Sequence, residues 1–179
     1  MVALRAALTD ARVGARIGFL TSVLRSSAAF EELAAAAAPF VLRLTTECFT
    51  RRDVMLKSTK ADLTAADMPG LLKRARSAGL DTSYTYIVGL DPLADMSAGV
   101  AALGPHITAF PNFQVFQAHN PLMAALRADG AGQLEFYLTA RARIEQIMAP
   151  LGLLPAAWEC YRPLWYVTFA GQELPHADA

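Results

Sequence analysis

Glu47 closes an apolar segment, Phe40–Glu47 (FVLRLTTE), and a carboxylate at a strand end can accept hydrogen bonds from a ribose diol or an ammonium group. Arg51 and Arg52, four and five positions on, offer a plainer role, a salt bridge to Glu47. Lys57-Ser58-Thr59-Lys60 sets two cations beside two hydroxyls, a set that grips a carboxylate or phosphate, or forms a solvated loop before a helix. It lacks the glycines of a phosphate-cradling loop, which excludes a Walker motif. Gly89, at the end of a later strand, admits either a ligand or a packed helix close to the backbone. Gln117-Ala118-His119-Asn120-Pro121 gathers two amides and an imidazole, so His119 is placed to orient a substrate or to act as a base. His106 and His176 lie apart from it in the sequence, and no metal site is expected. Asn120 equally suits the cap of a helix opened by Pro121. In WECYRPLWY, 158–166, Arg162 can pair a substrate carboxylate bidentately, or satisfy Glu159 while an aromatic strand closes the core. Cys160 reads as a small buried hydrophobe, with no Cys–His pairing to activate it.

These groups need elements to carry them. Residues 2–12 read as the last turns of a helix, and Arg16–Leu24 (RIGFLTSVL) as a strand. Ser27 is expected to cap a helix through Ala37, and Phe40–Glu47 is the second strand. Thr64 and Asp67 approximate a capping box for a helix over 65–78, with Gly79 just past its end. Met68, Leu71, Leu72 and Ala75 would form its apolar face. A strand over Ser83–Leu90, a helix over Leu93–Leu103, a strand within Ile107–Gln117 and a helix over Leu134–Met148 follow. Trp158–Phe169 reads as a further extended run. Alternation of strands and helices predicts an α/β fold with a parallel sheet, a partial parallel (β/α) barrel spanning 1–170, followed by a flexible tail, 171–179.

A two-residue period puts Leu42 and Leu44 on one face of their strand and Arg43, Thr45 and Glu47 on the other. In the strand around Val115, Phe113 and Val115 oppose Asn112, Gln114 and Phe116. The apolar faces are expected to meet helices, leaving a polar lumen able to hold a ligand. In α/β barrels chemistry sits at the C-terminal strand ends. Here those ends supply Thr21, Ser22, Thr45, Thr46, Glu47, Gly89, Asp91, Gln117, His119 and Asn120.

Composition narrows the classes. Lys+Arg and Asp+Glu are both 16, so no basic excess is available to neutralise a nucleic-acid backbone. Hydrophobic residues make up 54%, but the longest apolar runs fall short of the roughly 20 residues a bilayer span requires. No secretory signal is read at the N-terminus. Two cysteines, Cys48 and Cys160, more than a hundred positions apart, fit a reducing compartment, and the expected location is the cytoplasm.

Thr45-Thr46-Glu47 at a strand end, a helix ending Ala78-Gly79, and then Tyr86-Ile87-Val88-Gly89-Leu90-Asp91 together resemble the middle of radical S-adenosylmethionine (SAM) barrels. The resemblance covers about 15–120 and is nearest to the biotin synthase-like branch that includes the aromatic amino-acid lyases. It implies the C-terminal half of a TIM-like barrel. It also implies that Thr45 and Glu47 contact the ribose or amino group of SAM, that Ile87 and Gly89 contact adenine, and that Lys57 or Lys60 meets its carboxylate. Gln114, Gln117, His119, Asn120 and Arg162 would then face a small carboxylate-bearing substrate, such as an aromatic amino acid. Two positions depart from the family's G-x-I-x-G-x-x-E strand: Thr85 replaces the first glycine, and the acid, Asp91, comes one place early. The three cysteines that hold the family's [4Fe–4S] cluster are missing, and the chain starts near the end of the second helix of such a barrel. The expectation is therefore an enzyme portion inactive alone, completed by an N-terminal half or second chain, and prone to self-association through open sheet edges. The alternative is a non-catalytic α/β module that binds a small ligand or completes a partner's barrel. A hydrolase or isomerase using Glu47 and His119 lacks a second positioned acid, base or metal set.

Overall fold

A computed structural model describes residues 1–153 of the chain. Helix α1 (Val2–Asp10) precedes strand β1 (Ile17–Thr21), helix α2 (Ser27–Ala37) and strand β2 (Phe40–Glu47). Two single-turn helices, α3 (Arg52–Met55) and α4 (Ser58–Ala61), lead into α5 (Met68–Ser77) and strand β3 (Asp81–Val88). Helix α6 (Leu93–Leu103), strand β4 (Asn112–Val115), a short α7 (Pro121–Ala124) and the long α8 (Leu134–Met148) complete the described part. The strands form one sheet in the order β1-β2-β3-β4, every neighbouring pair parallel, curled as a half-barrel. Each pair is bridged by at least one helix, as parallel neighbours require.

Register sorts the side chains. Thr45 pairs with Thr85, Thr85 with Asn112 and Ile87 with Gln114, so these residues share the concave face. The residues between them turn outward: Leu42, Leu44, Tyr84, Tyr86, Val88 and Phe113 are all buried in one core cluster. Helix α5 meets that face with Met68, Leu71, Leu72 and Ala75, the stripe its periodicity predicts. Helix α8 buries Phe136, Ala140, Ile144 and Met148, one residue per turn. Phe113 is the aromatic hinge of the core, with Tyr84 edge-on at 5.9 Å and Phe110 at 5.7 Å.

Several boundaries differ from expectation for local reasons. Strand β1 stops at Thr21 rather than Leu24, because the Thr21 hydroxyl accepts from Val23 N (3.1 Å) and Leu24 N (3.4 Å) and turns the chain. Ser26, not Ser27, caps α2 by accepting from Ala29 N at 3.2 Å. Asp67 N does donate to Thr64 Oγ1, yet α5 begins only at Met68, with Pro69 in its first turn, where a missing N–H costs least. The Lys57–Lys60 stretch is not an open loop: it enters the one-turn α4. Strand β3 runs two residues earlier than predicted, over Asp81–Val88, and stops at Gly89, which has φ +110°. Strand β4 ends at Val115, so Gln117 lies beyond it. The strand expected over Trp158–Phe169 and the tail over 171–179 lie outside the described residues.

Candidate functional site

The concave face opens into a cleft of about 600 Å³ at the C-terminal ends of the strands. β1 and the turn after it contribute Leu20, Thr21, Ser22 and Val23; β2 contributes Thr45 and Glu47; α4 contributes Lys60; β3 contributes Thr85 and Ile87; β4 contributes Gln114. The volume lies in the range of small-molecule sites. Its walls are mixed: Leu20 and Val23 form an apolar lip, 56% and 67% exposed, while the hydroxyls and the amide line the floor.

The charged centre is the Glu47–Lys60 pair, in which Lys60 Nζ donates to Glu47 Oε1. The alternative drawn from sequence, a bridge from Glu47 to Arg51 or Arg52, is corrected by this pairing. Arg51 donates instead to the carbonyls of Leu90 (2.5 Å) and Leu126 (3.0 Å). Arg52 donates to those of Leu63, Lys60, Thr46 and Cys48.

Glu47 reaches the cleft by an irregular route. Thr45 pairs with Thr85, but Glu47 pairs with Tyr86, so Thr46 is a bulged extra residue. Glu47 has φ +63°, and Cys48 N donates to Thr46 O at 2.8 Å across it. That is a three-residue γ-turn in its rare left-handed form. A non-glycine residue held there costs about 1–2 kcal/mol. Strain of this kind persists only where surrounding contacts over-determine it, and it gathers at functional sites.

A second network holds the neighbouring strand end. The buried Asp91 carboxylate accepts from Phe49 N (2.7 Å), Thr50 N (2.8 Å), Thr50 Oγ1 (2.5 Å) and Tyr86 OH (2.8 Å). Asp91 therefore ties the loop after β2 to β3 and does not face the cleft. Burial, then the Asp91 charge, pushes the Tyr86 phenol upward, so it remains a donor. The Cys48 thiol rises from an ordinary 9.0 to about 12, chiefly by burial and then by the Asp91 charge, which leaves no thiolate nucleophile or ligand near neutral pH.

The remaining sequence-predicted residues scatter. Lys57 is exposed at the start of α4 and does not line the cleft. Gly89 faces α8: a Cβ there would lie 2.8 Å from Tyr137 Oη and 3.3 Å from Phe116 Cβ, so the close approach is by a helix. Gln117, His119 and Asn120 are exposed, and Asn120 caps α7 by accepting from Met123 N at 2.8 Å. Arg162 and Cys160 lie outside the described residues. Thr21, Ser22, Thr45, Glu47, Lys60, Ile87 and Gln114 are thus the predicted residues brought together. Sequence reading missed the apolar lip and the supporting roles of Arg52 and Asp91. Alternation along β3 would have placed Thr85 beside Ile87 on the lumen side. No sequence signal marks Arg52, since an Arg–Arg pair in a polar stretch reads as surface.

Among the described residues no three or more His, Cys, Asp or Glu side chains gather to hold a metal, and no helix is long and apolar enough to cross a membrane. Compared with protein-family models and with curated proteins, the sequence matches none.

Proposed function

We propose that the chain is the C-terminal portion of a radical SAM enzyme. In this reading it forms the second half of a TIM-like barrel and binds S-adenosylmethionine and a small carboxylate-bearing substrate, with aromatic amino acids the class in view. One observation carries the reading: a carboxylate, an ammonium, hydroxyls and an amide converge on one cleft at the C-terminal ends of parallel strands. Glu47 would hold the ribose diol or the ammonium of SAM, Lys60 its carboxylate, and Ile87 the face of adenine, with Thr45 beside Glu47 and Gln114 toward the substrate. The cleft suits such a zwitterion, because its two charges already sit side by side. When bound, SAM supplies an activated sulfonium whose cleavage is the source of radical chemistry.

The iron–sulfur cluster of that chemistry does not fit this chain. Its two cysteines cannot provide three thiolates, and Cys48 is buried with a raised thiol pKa. In this reading the chain binds without turnover, in the cytoplasm, and an N-terminal half or second chain carrying the cluster completes it. The outer edge of β1 has no strand partner among the described residues, which suits such a chain or self-association. The same shortage of thiolates favours the rival reading, a non-catalytic module that binds another small ligand.

Calorimetric titration separates the two. SAM is expected to bind once a cysteine-bearing N-terminal barrel half is supplied. Glu47→Gln and Lys60→Met should each weaken it about tenfold, the scale of one charge-assisted hydrogen bond. A folded chain that ignores SAM in both settings, yet binds an unrelated ligand, overturns the reading in favour of the module.

A further inference from the structure

We infer that Arg52 is the positioning residue of the cleft, its guanidinium clamping the backbone on both sides of Glu47 and at Lys60 so that the two charged side chains meet. Arg52 Nη1 donates to the carbonyls of Thr46 and Cys48, the residues flanking Glu47. Nη2 donates to the carbonyl of Lys60 at 2.9 Å, and Nε to that of Leu63 at 2.9 Å. One planar fork thus joins the strained turn to the helical turn that carries its ion-pair partner.

The chemistry of the fork explains why this residue is arginine. Two carbonyls two residues apart can reach a single nitrogen only if the chain reverses between them, and the left-handed γ-turn at Glu47 is that reversal. Arg52 is only 7% exposed, and among the described residues no carboxylate pairs with it. A buried charge of this kind is tolerated because oriented carbonyl dipoles replace water. A lysine ammonium lacks the rigid geometry to span the same four acceptors. The charges of Glu47 and Asp91 both act on the guanidinium, yet neither bonds it, since each is satisfied elsewhere. Its reach is therefore spent on backbone, and the backbone it holds flanks Glu47 on both sides and includes that of Lys60.

The inference rests on reading Glu47 and Lys60 as the ligand-facing pair, but its test needs no ligand, so the two can fail separately. Lysines labelled as 13C-dimethyl groups give an NMR signal for Lys60, assigned with Lys60→Arg. In the otherwise native chain, Glu47→Gln should displace that signal. In the Arg52→Lys background, folded by circular dichroism, the displacement should vanish, because the turn relaxes and the pair separates. A purely structural Arg52 predicts a lower Tm with the displacement intact, and that result overturns the inference. If Arg52→Lys does not fold, the native chain decides. Arg52 Nη protons should be resolved and slow to rotate, with scalar couplings to the Thr46 and Cys48 carbonyls. Averaged Nη signals without those couplings overturn it.

Discussion

Replacing Glu47 by glycine and, separately, by alanine should invert the usual order of those two residues. Both variants lose the same ion pair to Lys60, so their difference cancels it. The pair is small in any case, about 0–1 kcal/mol, because the Glu47 and Lys60 side chains keep 21% and 38% of their exposure. What remains is the backbone. At φ +63° a residue bearing Cβ pays about 1–2 kcal/mol that glycine does not. Glycine gives back about 0.5–1 kcal/mol, because its unfolded chain has more freedom to lose. The net is roughly 0.5–1 kcal/mol in favour of Glu47→Gly, which at about 2–4 °C per kcal/mol for a chain of this size is a Tm difference of about 1–4 °C. Urea unfolding at matched m-values is the primary assay, since equal slopes show that the unfolded states compare fairly. Lys73, exposed within α5, is the control: there glycine should be less stable than alanine by about 1 kcal/mol. If Glu47→Ala proves as stable as Glu47→Gly or more so, the left-handed turn is not present in solution, and the account of how Glu47 is aimed fails with it.

The core tyrosines offer a matched contrast. Tyr84 OH is buried with no hydrogen-bond partner among the described residues, so Tyr84→Phe should be neutral or stabilising by about 1 kcal/mol. Tyr86 OH donates to Asp91, and Tyr86→Phe should cost about 1–3 kcal/mol by the same urea unfolding; equal effects would refute the assigned partners. In a Cys160→Ser background, Cys48 should resist a thiol reagent at pH 8 until the chain unfolds. Its raised thiol pKa also has a sign for stability. Between pH 9 and about 12 the unfolded thiol loses its proton while the folded one keeps it, so stability falls as pH rises through that window. Cys48→Ala should remove that component of the alkaline slope, and an unchanged slope would assign it elsewhere.

Much of the architecture was legible because each rule involved is local. Alternation separated Leu42 and Leu44 from Arg43 and Thr45, and the parallel register carries that separation across β3 and β4. The α5 stripe and the bounds of α6 and α8 follow from 3.6-residue periodicity in segments that bury one side. Boundaries were harder where side chains compete with the backbone. The Thr21 hydroxyl ends β1 early, and Pro69 admits α5 only after the Thr64–Asp67 turn.

The amino-acid order alone determined that a polar strand face would exist and that Glu47 would lie at its end, since side-chain alternation needs no knowledge of the partner. It could not determine what Glu47 would meet. Arg51, Arg52, Lys57 and Lys60 are all within reach of it along the chain. Which cation pairs with it depends on carbonyls from Thr46, Cys48, Lys60 and Leu63 converging on the Arg52 guanidinium. Those acceptors are backbone atoms, present in every residue and therefore invisible in a sequence until the fold turns them toward a single point. The same holds for Gly89, whose neighbour Tyr137 lies far along the chain and arrives only when α8 packs against the sheet. Local chemistry set the inventory of the cleft, and tertiary packing decided which members of it touch.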